Sequence, residues 1–135
     1  MQKPFPFNKP KILIIDDDKN ICDLVTTALN LRNFETSHSL TPQEGLKKAA
    51  GTHPDLIILD IHLEASIDGL GLLSHLKEGA STKNIPVLML TTADGMNNVE
   101  DAFKKGAAAY LPKPINLNRL TKKVESLLKE NIKES

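Results

Sequence analysis

The sequence has a single cysteine, Cys22, which excludes an internal disulfide framework and a cysteine-based metal motif. A lone cysteine is typical of proteins in a reducing compartment, so we expect a cytoplasmic location. The first ten residues lack the apolar stretch of a signal peptide. No apolar run approaches the roughly 20 residues that span a bilayer, and we therefore expect no membrane partner.

The chain also lacks net charge, because 17 basic residues balance 17 acidic ones. Proteins that bind nucleic acid through its phosphates depend on an excess of positive charge, so we expect no direct nucleic-acid contact. A length of 135 residues with 40% apolar residues fits one globular domain. We expect a flexible leader at residues 1–10, one domain at residues 11–131 and a short tail at residues 132–135.

Five short segments predict β-strands. Three of them are apolar runs without polar alternation, as in strands that are covered on both faces. These runs are Ile12–Ile15, Leu56–Leu59 and Val87–Leu90. Weaker candidates lie at Phe34–His38 and Ala108–Leu111.

A helical segment follows each predicted strand. Thr41 is expected to cap the second helix, and Gly51 is expected to end it. Asp18, Asp68 and Asn116 are expected to cap the first, third and fifth helices. The apolar stripes are Ile21, Leu24, Val25, Ala28 and Leu29 in the first helix, Leu70, Leu73 and Leu76 in the third, Val99, Ala102 and Phe103 in the fourth, and Leu117, Leu120, Val124, Leu127 and Leu128 in the fifth.

Strict alternation of five strands and five helices predicts an α/β fold with a parallel sheet and helices on both faces. Periodicity does not reveal the strand order. Among small doubly wound sheets the flavodoxin-like order 2-1-3-4-5 is common, and we adopt it as the prediction.

Polar residues follow the strands where the strands end. Asp16–Asp18 come after the first strand, Asp60 after the third, Thr91 after the fourth and Lys113 after the fifth. In the predicted order the first and third strands are neighbours, so the carboxylates converge at one edge. Clustered carboxylates favour a cation, and Mg²⁺ prefers such oxygen ligands. Together with a lysine and a hydroxyl, they are the parts needed to transfer a phosphoryl group to an aspartate.

Four stretches make the chain resemble a known family. Ile12–Asp18, Leu56–Ile61, Leu88–Thr91 and Tyr110–Pro114 are similar to the motifs of the receiver domains of two-component response regulators. The resemblance covers about residues 10–130, and the order and spacing of the motifs make it specific. It implies a chemotaxis-regulator-like, single-domain receiver that catalyses only its own phosphorylation and dephosphorylation and is not otherwise an enzyme.

The resemblance implies a role for each site residue. Asp60 would be the phosphoacceptor and a ligand of Mg²⁺. Asp17 would bind the ion directly, Asp16 through a water, and His62 through its main-chain carbonyl. Lys113 would contact the phosphoryl group.

The resemblance also implies a switch and two kinds of protein partner. Thr91 would swing its hydroxyl towards the phosphoryl group, and Tyr110 would follow it inward. The Lys113–Pro114 bond would be cis. A sensor histidine kinase or phosphotransfer protein would donate the phosphoryl group, docking near the first helix. A downstream effector would bind the face formed by helix four, strand five and helix five.

Two alternatives remain open. A phosphohydrolase could use Asp16 as its nucleophile with Asp18 nearby, but Asn20 stands where that motif has Thr or Val, and Asp60 is then unexplained. A receiver-like binding module that is never phosphorylated is the second. Thr92 and the segment after Asp60 keep it open, since that segment has Glu64 where the family usually has Pro and reaches Asp68-Gly69 one residue late. The intact site residues argue against it, namely Asp17, Asp60, Thr91 and Lys113.

Overall fold

The computed structural model describes residues 9–61, 68–92 and 99–134. Its centre is a five-stranded parallel sheet in the order β2-β1-β3-β4-β5. The predicted fold class and strand order are confirmed. The strands are β1 (Lys11–Ile15), β2 (Glu35–Ser39), β3 (Leu56–Asp60), β4 (Val87–Thr91) and β5 (Ala109–Pro112).

A helix follows each strand, as the alternation of patterns predicts. Within the described ranges, the helices are all too short or too polar to cross a lipid bilayer. They are α1 (Lys19–Asn30), α2 (Pro42–Thr52), α3 (Gly69–Glu78), α4 (Val99–Lys104) and α5 (Leu117–Glu134).

Two apolar layers form the core, one on each face of the sheet. Ile12 and Ile14 of β1 point to the layer that α1 and α5 cover, where Val124 of α5 is fully buried. Leu13 and Ile15 point to the opposite layer, which α2, α3 and α4 cover. Because both faces of β1 and β3 are buried, these strands carry apolar residues at nearly every position.

The four predicted helix caps are confirmed. In each case the side-chain oxygen accepts a main-chain N–H two or three residues further along, which satisfies a donor left free at the start of the helix. The pairs are Asp18 with Asn20, Thr41 with Glu44, Asp68 with Gly71, and Asn116 with Arg119.

The predicted end of α2 at Gly51 is wrong. The helix continues through Thr52, and His53 ends it in the left-handed conformation, with φ 50°. The His53 N–H donates to the Ala49 carbonyl at 3.2 Å, which satisfies one of the last helical acceptors. Gly51 therefore lies inside the helix, with open space where a Cβ would be.

The predicted apolar stripe of α1 is confirmed at Ile21, Val25 and Leu29 and is wrong at Leu24. The side chains that face the sheet are Cys22, Val25 and Leu29, which are fully buried. Leu24 is 45% exposed. The helix is rotated so that Cys22 lies beneath the end of β1, where its thiol donates to the Asp16 carbonyl at 3.5 Å.

We expect the Cys22 thiol to be unreactive in the folded protein. Burial raises its pKa to about 12, and the carboxylates of Asp16 and Asp23 add to the shift. Since the thiolate is the reactive form, a disulfide reagent at pH 8 should label the native protein at least roughly 10²-fold more slowly than the urea-unfolded protein. Equal labelling rates in the two states would contradict the placement of α1.

Candidate functional site

Three carboxylates meet at the carboxyl edge of the sheet. Asp60 is the last residue of β3, and Asp16 follows β1, whose Ile15 pairs with Leu59 of β3. Asp17 lies beside them, and carboxylate oxygens of Asp16, Asp17 and Asp60 lie within 4.8 Å of one another. The parallel pairing of β1 with β3 thus produces the cluster.

Lys113 brings a positive charge to this cluster from the end of β5. Its Nζ donates to Oδ2 of Asp16 at 2.9 Å and lies 3.4 Å from Oδ2 of Asp60. Its main-chain N–H donates to the Thr91 carbonyl at 2.7 Å, which anchors it to the end of β4. The Lys113–Pro114 bond is cis, as the resemblance implies.

Burial and charge pairing shift the pKa values of Asp16 and Lys113 in opposite directions. Burial raises the pKa of Asp16, and the hydrogen bonds from the Asp18 N–H and from Lys113 offset only part of that rise. For Lys113, burial alone would lower the pKa, but the hydrogen bond and charge of Asp16 and the charge of Asp60 together raise it. The ammonium group is therefore held in its charged form.

The donor atoms of the cluster fit Mg²⁺, which takes oxygen ligands. Both oxygens of Asp16 already accept hydrogen bonds, Oδ1 from the Asp18 N–H at 2.9 Å and Oδ2 from Lys113. Such a carboxylate is suited to an indirect role through water, whereas the Asp17 side chain is only partly buried. The expected His62 ligand lies outside the described residues.

Thr91 and Tyr110 occupy different surroundings near the site. Thr91 is fully buried at the end of β4, and its hydroxyl donates to the Thr92 carbonyl at 3.1 Å. Tyr110 is half-buried on the face that α4 covers, and its ring meets the Phe103 ring edge-on, with centroids 6.0 Å apart. Tyr110 therefore links β5 to α4, and Thr91 lies in the buried end of the neighbouring strand.

The sequence motifs do not identify Gly69 as a residue of this region, yet it lies directly against the backbone of Asp60 and Ile61. A glycine immediately inside a helix, where it costs stability relative to alanine, is the signal that could have identified it.

Known proteins resemble this chain in sequence. Residues 12–125 match the family model of the response regulator receiver domain. The DNA-binding dual master transcriptional regulator RpaA of Synechocystis is 36% identical over 120 residues, or 89% of this chain and 49% of RpaA. The response regulator PleD of Caulobacter vibrioides is 32% identical over 117 residues, or 87% of this chain and 26% of PleD. The chain thus spans half or less of these relatives.

Solved structures resemble it as well. A CheY-like response regulator receiver domain protein from Methanospirillum hungatei has a TM-score of 0.88 and 30% identity, and the match covers 95% of this chain and 100% of that one. The receiver domain of NtrX from Brucella abortus has a TM-score of 0.82 and 30% identity, over 87% of this chain and 98% of that one.

Replacing Lys113 with alanine should destabilise the fold by leaving buried carboxylates without their cation. In Mg²⁺-free buffer at neutral pH we expect Lys113→Ala to lower the free energy of unfolding by about 3 kcal/mol in urea titrations. Added Mg²⁺ should restore part of this loss, because it neutralises the same carboxylates.

The matched control is Lys19→Ala, which breaks an exposed ion pair with Asp23 whose side chains are 66% and 57% exposed. Its cost should stay below about 0.5 kcal/mol. Equal costs for the two substitutions would show that the Lys113 contacts are not what neutralises the site.

Proposed function

The chain belongs to the response regulator receiver domain family, and we propose that in it Asp60 accepts a phosphoryl group from a phosphohistidine. The donor would be a sensor histidine kinase or a phosphotransfer protein. The observation that carries the proposal is the setting of Asp60: buried at the end of β3, clustered with Asp16 and Asp17, and 3.4 Å from the Lys113 ammonium. This setting holds a carboxylate nucleophile beside fixed positive charge.

In the proposed reaction an Asp60 carboxylate oxygen forms a bond to phosphorus as the bond between phosphorus and the donor's imidazole nitrogen breaks. The electron pair of the broken bond returns to the imidazole. Lys113 is near enough to Asp60 to pair with an oxygen of the arriving phosphoryl group. Bound Mg²⁺, held by Asp17 and Asp60 directly, by Asp16 through a water and by the His62 carbonyl, would neutralise further phosphoryl charge.

The hydrolase alternative fits the site less well. It requires Asp16 as the nucleophile, but Asp16 is fully buried and both of its carboxylate oxygens are already hydrogen-bonded. The alternative of a module that is never phosphorylated gives the pairing of Lys113 with both carboxylates a structural role alone. Phosphoryl acceptance at Asp60 employs every charged group of the cluster.

We propose that Thr91 and Tyr110 transmit the effect of phosphorylation at Asp60 to the α4–β5–α5 face. The Thr91 hydroxyl would exchange the Thr92 carbonyl, its present acceptor at 3.1 Å, for an oxygen of the phosphoryl group. Tyr110 would then leave its edge-on contact with Phe103 and move inward. That contact joins β5 to α4, so its loss would alter the α4–β5–α5 face to which the effector protein binds.

The surface of α1 supports the proposed docking of the donor. Leu24 and Leu31 are exposed by 45% and 79%, and with Leu117 of α5 they line an apolar groove. A helical partner could cover this groove and bring a histidine over the carboxyl edge of the sheet. RpaA is described as DNA-binding, but we propose that the present residues act through protein contacts, without touching nucleic acid.

The nucleophile can be tested with a small acyl phosphate and Mg²⁺. We expect intact-mass spectrometry to show one added phosphoryl group that hydroxylamine removes, since an aspartyl phosphate is an acyl phosphate. Asp60→Asn should abolish the label. Asp18→Asn should retain it, because an asparagine preserves the cap of α1. A label that survives in Asp60→Asn and disappears in Asp16→Asn would instead favour the hydrolase.

The switch can be followed by intrinsic fluorescence, because Tyr110 is the only tyrosine and the chain has no tryptophan. Phosphorylation should change the tyrosine emission as the ring leaves Phe103. Thr91→Ala should still be phosphorylated but should lose most of the emission change. An unaltered emission change in Thr91→Ala would show that Tyr110 moves independently of Thr91, which contradicts the proposed coupling.

A further inference from the structure

The first residue of α3 touches the backbone of the proposed phosphoacceptor. The Gly69 N–H donates to the Ile61 carbonyl at 2.9 Å. A Cβ on Gly69 would overlap the carbonyl oxygen of Asp60 and would lie 2.6 Å from both Cα and the carbonyl oxygen of Ile61. These are main-chain atoms, so no side-chain rotation can relieve the overlap. A larger residue at position 69 must displace either α3 or the end of β3.

Gly45, Gly51 and Gly79 do not approach the site in this way. A Cβ on Gly45 would meet the flexible end of the Ile15 side chain at 2.7 Å. On Gly79 it would meet the Thr82 hydroxyl at 2.6 Å, and on Gly51 it would meet nothing within 4 Å. Gly69 therefore contacts main-chain atoms of Asp60 and Ile61, whereas Gly45 and Gly79 contact side-chain atoms.

Ile61 is held from two sides. Its N–H donates to the Leu90 carbonyl of β4 at 2.9 Å, and its carbonyl accepts from Gly69. On the α3 side, Asp68 accepts the Gly71 N–H at 2.8 Å, which secures the first turn of the helix. The chain leaving Asp60 thus passes through a residue whose N–H is bonded to β4 and whose carbonyl is bonded to α3.

We propose that Gly69 is a positioning residue that sets the orientation of the Asp60 carboxylate towards Asp17 and Lys113. The inference rests on the proposed function and adds to it the residue that holds the nucleophile in place.

The test is Gly69→Ala, with Mg²⁺ affinity measured by calorimetry and phosphorylation by the small acyl phosphate measured alongside. A displaced carboxylate should weaken Mg²⁺ binding by about 5-fold or more and slow phosphorylation by about 10-fold or more, since small misplacements cost large factors in rate. Asp17→Ala serves as the reference for a lost ligand.

The matched control is Gly45→Ala, which also crowds a helix against the sheet but at the Ile15 side chain. It should lower the free energy of unfolding while leaving Mg²⁺ affinity within about 2-fold of the parent, because its strain falls on a side chain. If Gly69→Ala behaves in the same way as Gly45→Ala, losing stability but keeping both Mg²⁺ affinity and rate, the positioning role is wrong.

A second pair of variants covers the case in which Gly69→Ala does not fold. Asp68→Ala removes the acceptor of the Gly71 N–H and loosens the start of α3, whereas Asp68→Asn removes the same charge but keeps an acceptor. Mg²⁺ affinity should fall in Asp68→Ala and recover in Asp68→Asn. Equal affinities in the two would overturn the proposal.

The same measurements distinguish a failure of phosphoryl acceptance at Asp60 from a failure of the positioning role of Gly69. A parent protein that takes no label, but whose Mg²⁺ affinity falls in Gly69→Ala, would contradict phosphoryl acceptance and still support the positioning role. A parent that is labelled normally, with Gly69→Ala unchanged in both readouts, would contradict the positioning role alone.

Discussion

Mutual repulsion among three clustered carboxylates is the constraint on which the site depends. Asp16 and Asp60 are buried, and two negative charges at that depth are unfavourable without a cation nearby. The Lys113 ammonium supplies that charge to both at once, and its own raised pKa reflects their combined effect. The same electrostatic demand favours a bound cation such as Mg²⁺, which together with Lys113 would offset the negative charge of an arriving phosphoryl group.

The strand order of the sheet brings Lys113 and its carboxylate partners together. Lys113 is 97 positions away from Asp16 in the chain, and only the parallel order of β1, β3, β4 and β5 brings both to one edge of the sheet. The ends of the strands are then tied together by main-chain bonds, from Lys113 to Thr91 and from Ile61 to Leu90. The proposed chemistry at Asp60 is thus linked through backbone contacts to β4 and β5, which carry the proposed switch residues.

Much of this arrangement could be predicted from the sequence because it depends on local signals. Buried strands show as apolar runs, and caps such as Asp18 show as a polar residue before a helix, so both were found. The end of α2 was misplaced because His53, not Gly51, adopts the left-handed conformation. The exposure of Leu24 and the approach of Gly69 to Asp60 depend on how helices pack on the sheet, which periodicity does not encode.

A structure determined with Mg²⁺ and beryllofluoride, a stable mimic of the phosphoryl group, tests the central claim most directly. The account predicts beryllium bonded to a carboxylate oxygen of Asp60, a fluorine within hydrogen-bonding distance of the Lys113 Nζ, and Mg²⁺ in contact with Asp17 and Asp60. Beryllofluoride bound at Asp16, or a complex in which Lys113 keeps both carboxylates and contacts no fluorine, would contradict it.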